Sequence, residues 1–263
     1  MAQIDKQKLK DALNSFSNSS LFTATKNLLK ELNVEIVGTN IEQRIEVKNF
    51  AMHFKSKSQS LEDALSCVDG VYFLGYANSS VLTSDNGDND FYKAVEFTQK
   101  EGKYDKMFIF ACNIEQEANI TRDFVSALTR AFNKVSKCPV ILVLRKGTTI
   151  TLSTCERMDY VLENSRNKGE RMGKVSMLRD IDCLNPHRGH LDILASLAGK
   201  SCSTFDELYN HWMEVFSNEL LTKKFYGELY NWYEWAVGIV KFPNDLRTDK
   251  DDAKYNQEAC ILI

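Results

Sequence analysis

The sequence predicts an α/β protein: a mixed, largely parallel central sheet flanked by helices, with a helical C-terminal extension. Three observations predict it. Two short continuous apolar runs, GVYFLGYA (70–77) and KMFIFACNI (106–114), have the composition of strands buried on both faces. Between the second run and CPVILVL lies a segment with helical periodicity, the order of a strand, a crossover helix and a strand. The stretch from Leu220 to Val240 is aromatic on more than one helical face.

Element by element, the chain opens with two amphipathic helices, over 4–17 (Leu9, Leu13, Phe16) and 21–33 (Leu21, Leu28, Leu29, Leu32). The β-branched clusters VEIVG and RIEVKNFAMHF, separated by Gly38, Thr39 and Asn40, predict a pair of strands over 34–55. A helix, FYKAVEFTQK, is expected between the two apolar runs, after an acidic turn DNGDND (85–90) whose glycine falls at the wrong place for a calcium loop. In NITRDFVSALTRAFNKVSK, Ile120, Phe124, Leu128 and Phe132 form an i, i+4 stripe, and Asn119 or Thr121 can cap the start. CPVILVLRKGTTITLSTCER then reads as a hairpin about Lys146-Gly147, and KVSMLRDID (174–182) as one more strand. The intervening MDYVLENSRNKGERMG reads as a long polar loop, basic in its second half. HRGHLDILASLAG and FDELYNHWMEVFS are helices, the second capped by Ser203 or Thr204.

The division expected is an α/β front domain over 1–200, a helical connector over 201–243 and a polar tail, or the start of a further domain, over 244–263. In the connector, Phe225, Leu229, Trp232, Ala236 and Ile239 form one stripe, and Tyr226, Tyr230, Tyr233 and Val237 a second. A helix apolar on two faces wants two partners, so the second stripe is a candidate partner-binding surface, for another domain or for a dimer.

With 263 residues, 43% of them hydrophobic, the chain can bury a sizeable core. A net charge of -3 argues against a uniformly basic nucleic-acid coat but leaves room for a local basic patch. The seven cysteines stand singly, with no C-x-x-C pair, which points to reduced thiols in a cytoplasmic protein. No signal-peptide core and no apolar run of bilayer length is present, so no membrane partner is expected. The terminal CILI mimics a prenylation box but lacks an upstream polybasic stretch, and reads as a short apolar element.

The order of short signatures brings a family into view. VYFLGYA, FIFAC, NITRDFVSALTRAFNK, PVILVLRKGTTITLSTCER, GKVSMLRDID, NPHRGHLDIL and FDELYNHWMEVFSNELLTKKFYGELYNWYEWA follow one another over about residues 65–243. As an ordered set they resemble the amino-terminal region of large bacterial type IIG-like restriction-modification proteins, sometimes labelled as parts of type I restriction enzymes. In that group one polypeptide joins a nuclease-type or DNA-engaging front end to an adenine-specific DNA methyltransferase. The resemblance implies that helix 220–240 is the connector to a methyltransferase, a domain or subunit that is then the expected partner beside DNA.

Methyl transfer to adenine needs a glycine-rich turn for the cofactor and an Asn/Asp-Pro-Pro-aromatic tetrapeptide for a flipped base. Neither is in the sequence: Asn185-Pro186-His187-Arg188 has His and Arg where the second proline and the aromatic belong. No cofactor is expected in this chain. A metal-dependent nuclease needs acidic residues at strand ends and a lysine beside the attacking water. Glu46-Val47-Lys48 has the E-x-K form, with both side chains on one face if the segment is a strand, and Glu35 lies on the preceding strand. Glu35, Glu46 and Lys48 are therefore the candidate catalytic set, and that reading alone would bring Mg2+. The alternative for them is a solvated strand face. Glu115 and Glu117, after the FIFACNI strand, are a second acidic pair. His187 and His190, with Cys183 nearby, fit helix capping and packing better than a metal.

Nucleic-acid binding is the better-supported reading. On the helix over 119–136, Arg130, Asn133, Lys134 and Lys137 fall away from the apolar stripe, and the following polar loop adds Arg166, Lys168, Arg171 and Lys174. Such cations supply salt-dependent, sequence-independent affinity for phosphates. The competing reading of the whole chain is a catalytically inert interaction module that docks on a DNA methyltransferase.

Overall fold

Apolar residues at alternate positions of the central strands feed two separate cores, one on each side of a single mixed sheet. The computed structural model describes residues 5–38, 42, 44–54, 64–77, 107–136, 138–161, 168–216 and 218–239. Its elements are α1 (Lys6–Asn18), α2 (Leu21–Glu31), β1 (Ile36–Val37), β2 (Arg44–Ile45), α3 (Val47–Phe54), β3 (Val68–Ala77) and β4 (Met107–Ile114). After them come α4 (Arg122–Ser136), β5 (Val140–Lys146), β6 (Thr149–Val161), β7 (Lys168–Asp182), α5 (Arg188–Ala198), α6 (Phe205–Phe216) and α7 (Asn218–Ile239).

The sheet order is β1-β3-β4-β5-β6-β7, with β2 also paired to β3. The α/β class, the mixed sheet and the C-terminal helices are as the sequence predicts; strand direction differs. Among the described residues only β4 and β5 run parallel, joined by α4 as a crossover helix, and every other pairing is antiparallel. The reason is that a continuous apolar run reports burial on both faces, not direction. β3 and β4 are antiparallel neighbours and are still buried almost throughout.

Burial on two sides follows from the layers. Leu74, Ile109, Ala111, Ile141 and Val143 face α1, α2, α5 and α6, where Leu13, Leu28, Leu194 and Trp212 close the first core. Phe73, Phe108, Phe110, Leu142 and Leu144 face α3 and α4, where Phe50, Val125, Leu128 and Phe132 close the second. The second core is aromatic: Phe132 lies 5.0 Å from Phe110 and 5.2 Å from Phe50, centroid to centroid.

Three local expectations change. RIEVKNFAMHF is not a strand beyond Ile45, because Val47, Phe50 and Ala51 recur at helical steps and bury Phe50 from α3. MDYVLENSRNKGERMG is for the most part not a loop: β6 and β7 stay paired out to Val161 opposite Lys168. FDELYNHWMEVF, read as connector, belongs to the front unit, which extends through Phe216, because Phe205, Leu208, Trp212 and Val215 enter the first core. Its N-terminus is a reciprocal cap, in which Glu207 N donates to Thr204 Oγ1 (3.3 Å) and Ser203 N to Glu207 Oε2 (2.8 Å).

Two glycines are conformationally required. Gly147 opens the β5–β6 turn at φ +55°, a backbone that disfavours a side chain. Gly75, at φ +130°, lies against Gly38 and the carbonyl oxygen of Val37, so that β1 sits too close for a Cβ. FYKAVEFTQK, DNGDND, the 244–263 segment and CILI lie outside the described residues. No helix among the described residues is long and apolar enough to cross a membrane.

Candidate nucleic-acid interface

α4 is amphipathic because Val125, Leu128, Ala131 and Phe132 turn toward the second core while Arg130 and Lys134, one turn apart, face solvent. Thr121 Oγ1 caps its start, accepting from Phe124 N at 3.1 Å. The helix is fastened to the root of the β6–β7 hairpin. Arg130 Nη2 donates to Gly173 O (3.3 Å), Arg157 Nη1 to Asn133 O (2.6 Å), and the Thr129 and Ser153 hydroxyls bond at 2.8 Å. Asn133 is not on the outer face as its position suggests; it is fully buried, and its Nδ2 donates to Thr129 O at 2.9 Å.

Beyond this root the hairpin is a two-stranded ribbon. β5 accompanies β6 only from Thr149 to Ser153, whereas β6 and β7 pair on to Val161 and Lys168. Lys168 and Arg171, expected in a loop, are therefore strand residues, level with Val161 and Met158. Lys174 is exposed at the root, beside Gly173. Arg130, Lys134 and Lys174 thus share the region where helix and ribbon meet, while Lys137 and Arg166 lie outside the described residues.

The candidate nuclease set is not brought together. Ile36 and Val37 pair with Ala77 and Tyr76, at the end of β3, whereas Arg44 and Ile45 pair with Tyr72 and Val71, near its start. That separates Ile36 from Ile45 by about 20 Å of strand, with Glu35 and Glu46 further out at either end. Glu46 follows β2, its carbonyl accepts Phe50 N as the first of α3, and Lys48 is an exposed residue of that helix's first turn. With a strand-to-helix change inside E-x-K, the alternate-face geometry is lost. The Glu46 carboxylate is instead paired with Arg44, which also reaches Asp69 Oδ1 at 3.2 Å.

A hollow of about 520 Å³ that sequence reasoning missed opens where the parallel pair ends, lined by Asp69, Asn113, Ile114, Glu115, Gln116, Arg145 and Gly147. Carboxyl ends of parallel strands are where α/β sheets commonly bind ligands. The bulge between Val68 and Gly70 places Asp69 at this edge, and Glu115 N donates to Cys67 O (3.0 Å), which brings the end of β4 beside it. Arg145 has structural duties here: Nε donates to Asn113 Oδ1 (2.9 Å), and Nη1 to Phe16 O (3.2 Å) and Ser19 O (3.3 Å) at the end of α1. A second hollow of about 370 Å³, sharing Gln116 and Gly147, is lined by Lys146 and Asp180. Lys146 Nζ is held by Ala118 O at 2.6 Å, and Asp180 adopts φ +56°. Glu117 is exposed and lines neither. The sequence signal was one acid at a strand start and one at a strand end, which only the β3–β4 register joins.

No group of three or more His, Cys, Asp or Glu among the described residues is placed to hold a metal ion. His187 caps α5, its Nδ1 accepting from Gly189 N (3.1 Å), and stands edge-on to His190 at 6.1 Å. Burial, with His187 adding to it, pushes the His190 pKa below its usual 6.5.

On α7, Tyr226 and Tyr230 of the candidate partner-binding set are exposed, and Tyr233 and Val237 are half-buried. Leu229 and Trp232, from the other stripe, are exposed as well, as is Trp235. Compared with protein-family models, curated proteins and solved structures, the chain matches none.

Proposed function

We propose that this chain is a DNA-engaging front module of a restriction-modification enzyme, binding duplex DNA through phosphate contacts rather than by reading bases. The observation that carries the reading is the Arg130–Gly173 bond, which sets the cationic outer face of α4 beside the root of a projecting ribbon. Arg130, Lys134 and Lys174 would flank the backbone of a duplex that follows the ribbon, with Lys168 and Arg171 further along it. The chain's net charge of -3 keeps this a local patch. The buried cysteines Cys112, Cys155 and Cys183 fit a reducing compartment, and we place the protein in the cytoplasm, where DNA is its partner.

Methyl transfer would be the work of a methyltransferase outside these residues. In the stronger form of the reading the chain also cuts DNA with Mg2+; the acids to test are then Asp69 and Glu115 at the hollow, since the fold keeps Glu35, Glu46 and Lys48 apart. The second reading, an inert module docking on a DNA methyltransferase, is favoured by the exposed aromatic residues of α7.

The test is retention of a fluorescent duplex by the full chain as a function of salt. Arg130→Ala, Lys134→Ala and Arg171→Ala should each weaken binding several-fold and reduce the salt slope by about 1. Retention unchanged in all three variants, or absent from the wild type, rejects DNA engagement through this surface. Plasmid cutting with Mg2+ that survives both Asp69→Ala and Glu115→Ala rejects the hollow as its centre.

A further inference from the structure

The smaller of the two hollows, about 370 Å³, is of a size that takes a small molecule, since such sites run from about 300 to 1,000 Å³. Its walls come from the β4–α4 connection (Gln116, Asn119), the end of β5 (Lys146), the β5–β6 turn (Gly147, Thr148) and Asp180 on β7. It opens at the carboxyl ends of the parallel pair, where α/β sheets commonly take ligands. It is also separate from the proposed DNA surface: Arg130 and Lys134 lie about 12 and 18 Å along α4 from its first residue, Arg122.

Charge decides the sign of the ligand. Asp180 Oδ2 accepts from Arg179 Nη2 at 2.8 Å, so the acid of this hollow already has its counter-charge. Lys146 has none: its Nζ donates to Ala118 O at 2.6 Å, and among the described residues no carboxylate pairs with it. A carbonyl fixes the ammonium in place without cancelling its charge. Of the acids nearby, Glu115 lines the other hollow and Glu117 lines neither.

The rest of the wall offers donors. Among the described residues, the backbone N–H groups of Gln116, Asn119, Gly147 and Thr148 have no acceptor, and nor have the side-chain amides of Gln116 and Asn119. Gly147 keeps the two walls close, since a Cβ there would stand 3.2 Å from Gln116 Oε1. One cation, with uncharged donors on two walls, suits a compact anion whose oxygens point several ways. A phosphate monoester is that group, with a charge of about -1.5 to -2 near neutral pH and three free oxygens. A flat carboxylate would reach fewer of the donors.

We propose that the hollow between the β4–α4 connection and the β5–β6 turn binds a phosphate monoester through Lys146 and the donors of its two walls, apart from the DNA-engaging face of α4. A free mononucleotide and the 5′-phosphate end of a DNA strand both present that group.

Amide chemical shifts of the isotope-labelled full chain, followed as inorganic phosphate, adenosine 5′-monophosphate or acetate is added, test it. Phosphate should move the Gln116, Asn119, Gly147 and Thr148 resonances, half-saturating at about 1 mM. Lys146→Met and Thr148→Glu should each weaken this at least about 10-fold, the scale of a lost charge-assisted bond. Thr148 is exposed in the turn, so its variant adds a carboxylate at the rim without removing the Lys146–Ala118 bond. Both variants should retain a 5′-hydroxyl duplex as the wild type does, which separates this site from the DNA surface. A 5′-phosphorylated duplex that moves the same amides, where its 5′-hydroxyl counterpart does not, assigns the site to DNA ends; the mononucleotide moving them alone assigns it to a free nucleotide. Shifts confined to Arg130, Lys134 and Lys174, equal shifts with acetate, or none up to about 20 mM phosphate overturn the proposal. So does binding that Lys146→Met and Thr148→Glu both leave intact.

Discussion

Arg157 on β6 donates through Nη1 to the backbone carbonyl of Asn133 on α4 at 2.6 Å, binding the crossover helix to the strand next to the one it leads into. The same residue's backbone N–H donates to the Tyr209 hydroxyl of α6 at 3.0 Å. One position of β6 therefore touches helices that close different cores. Arg157→Ala should lower stability by about 2 kcal/mol, the scale of a charged donor withdrawn from a part-buried acceptor. Urea unfolding of the two proteins checks this; a change under about 0.5 kcal/mol would mean that the Arg157 bond adds nothing to the hold on α4.

Phe50 is fully buried and rests on Phe132 and Phe110. It is the main reason that Val47–Phe54 is a helix. Phe50→Ala should cost about 3–5 kcal/mol and Phe50→Leu considerably less, since only the former leaves a ring-sized cavity. Denaturation midpoints of the pair give the comparison.

His190 gives a pH dependence of known sign. Its folded-state pKa is below 6.5, chiefly through burial and then through His187, with Asp180 opposing weakly. The unfolded chain thus binds the proton more readily, so stability is fully present above 6.5 and falls as pH drops below it. Melting temperature measured from about pH 8 to 5 should decline more steeply for the wild type than for His190→Gln. Equal slopes would place the acid sensitivity elsewhere.

Thiol reactivity should separate the cysteines. Burial raises the Cys155 pKa to about 11 and that of Cys183 to about 12, and pushes the Cys112 thiol up further still. All three are buried, whereas Cys67 is part-exposed in the turn before β3. Alkylation of the native protein near neutral pH, read by peptide mass, should mark Cys67 well before Cys112, Cys155 or Cys183. Early labelling of Cys112 would contradict the two-sided burial of β4.

Helices were legible wherever the apolar period was clean. α1, α2, α4, α5 and α6 follow from Leu9–Leu13–Phe16, from Leu28–Leu29, from Val125–Leu128–Phe132 and from their counterparts; the sequence offered Asn119 or Thr121 and Ser203 or Thr204 as caps, of which Thr121 and Thr204 accept the helix N–H, and a capping role for His187 was readable too. α3 was obscured by β-branched residues, although Val47, Phe50 and Ala51 already stood at helical steps. Strand direction was not legible, since burial on two faces looks the same in parallel and antiparallel neighbours. The ribbon was hidden because its polar composition resembles a loop, while its order comes from cross-strand pairing. Of the site, Arg130 and Lys134 were visible from helix phase alone. Bringing Glu115 to Asp69, or separating Glu35 from Glu46, depends on β3 register, which local patterns do not encode.

Because the central sheet is a wall between two cores, adjacency in sequence and adjacency in energy part company. Ile109 and Phe110 are covalent neighbours that serve opposite sides, while Phe110 and Phe132 come from different elements and share one. Paired substitutions should follow the wall rather than the chain: Ile109→Val with Phe110→Leu should sum to within about 0.5 kcal/mol, whereas Phe110→Leu with Phe132→Leu should depart from the sum by more. Double-variant unfolding cycles measure both. Sequence drift in this protein is then constrained as two interleaved sets of positions, each free to repack against its own helices while the other stands still.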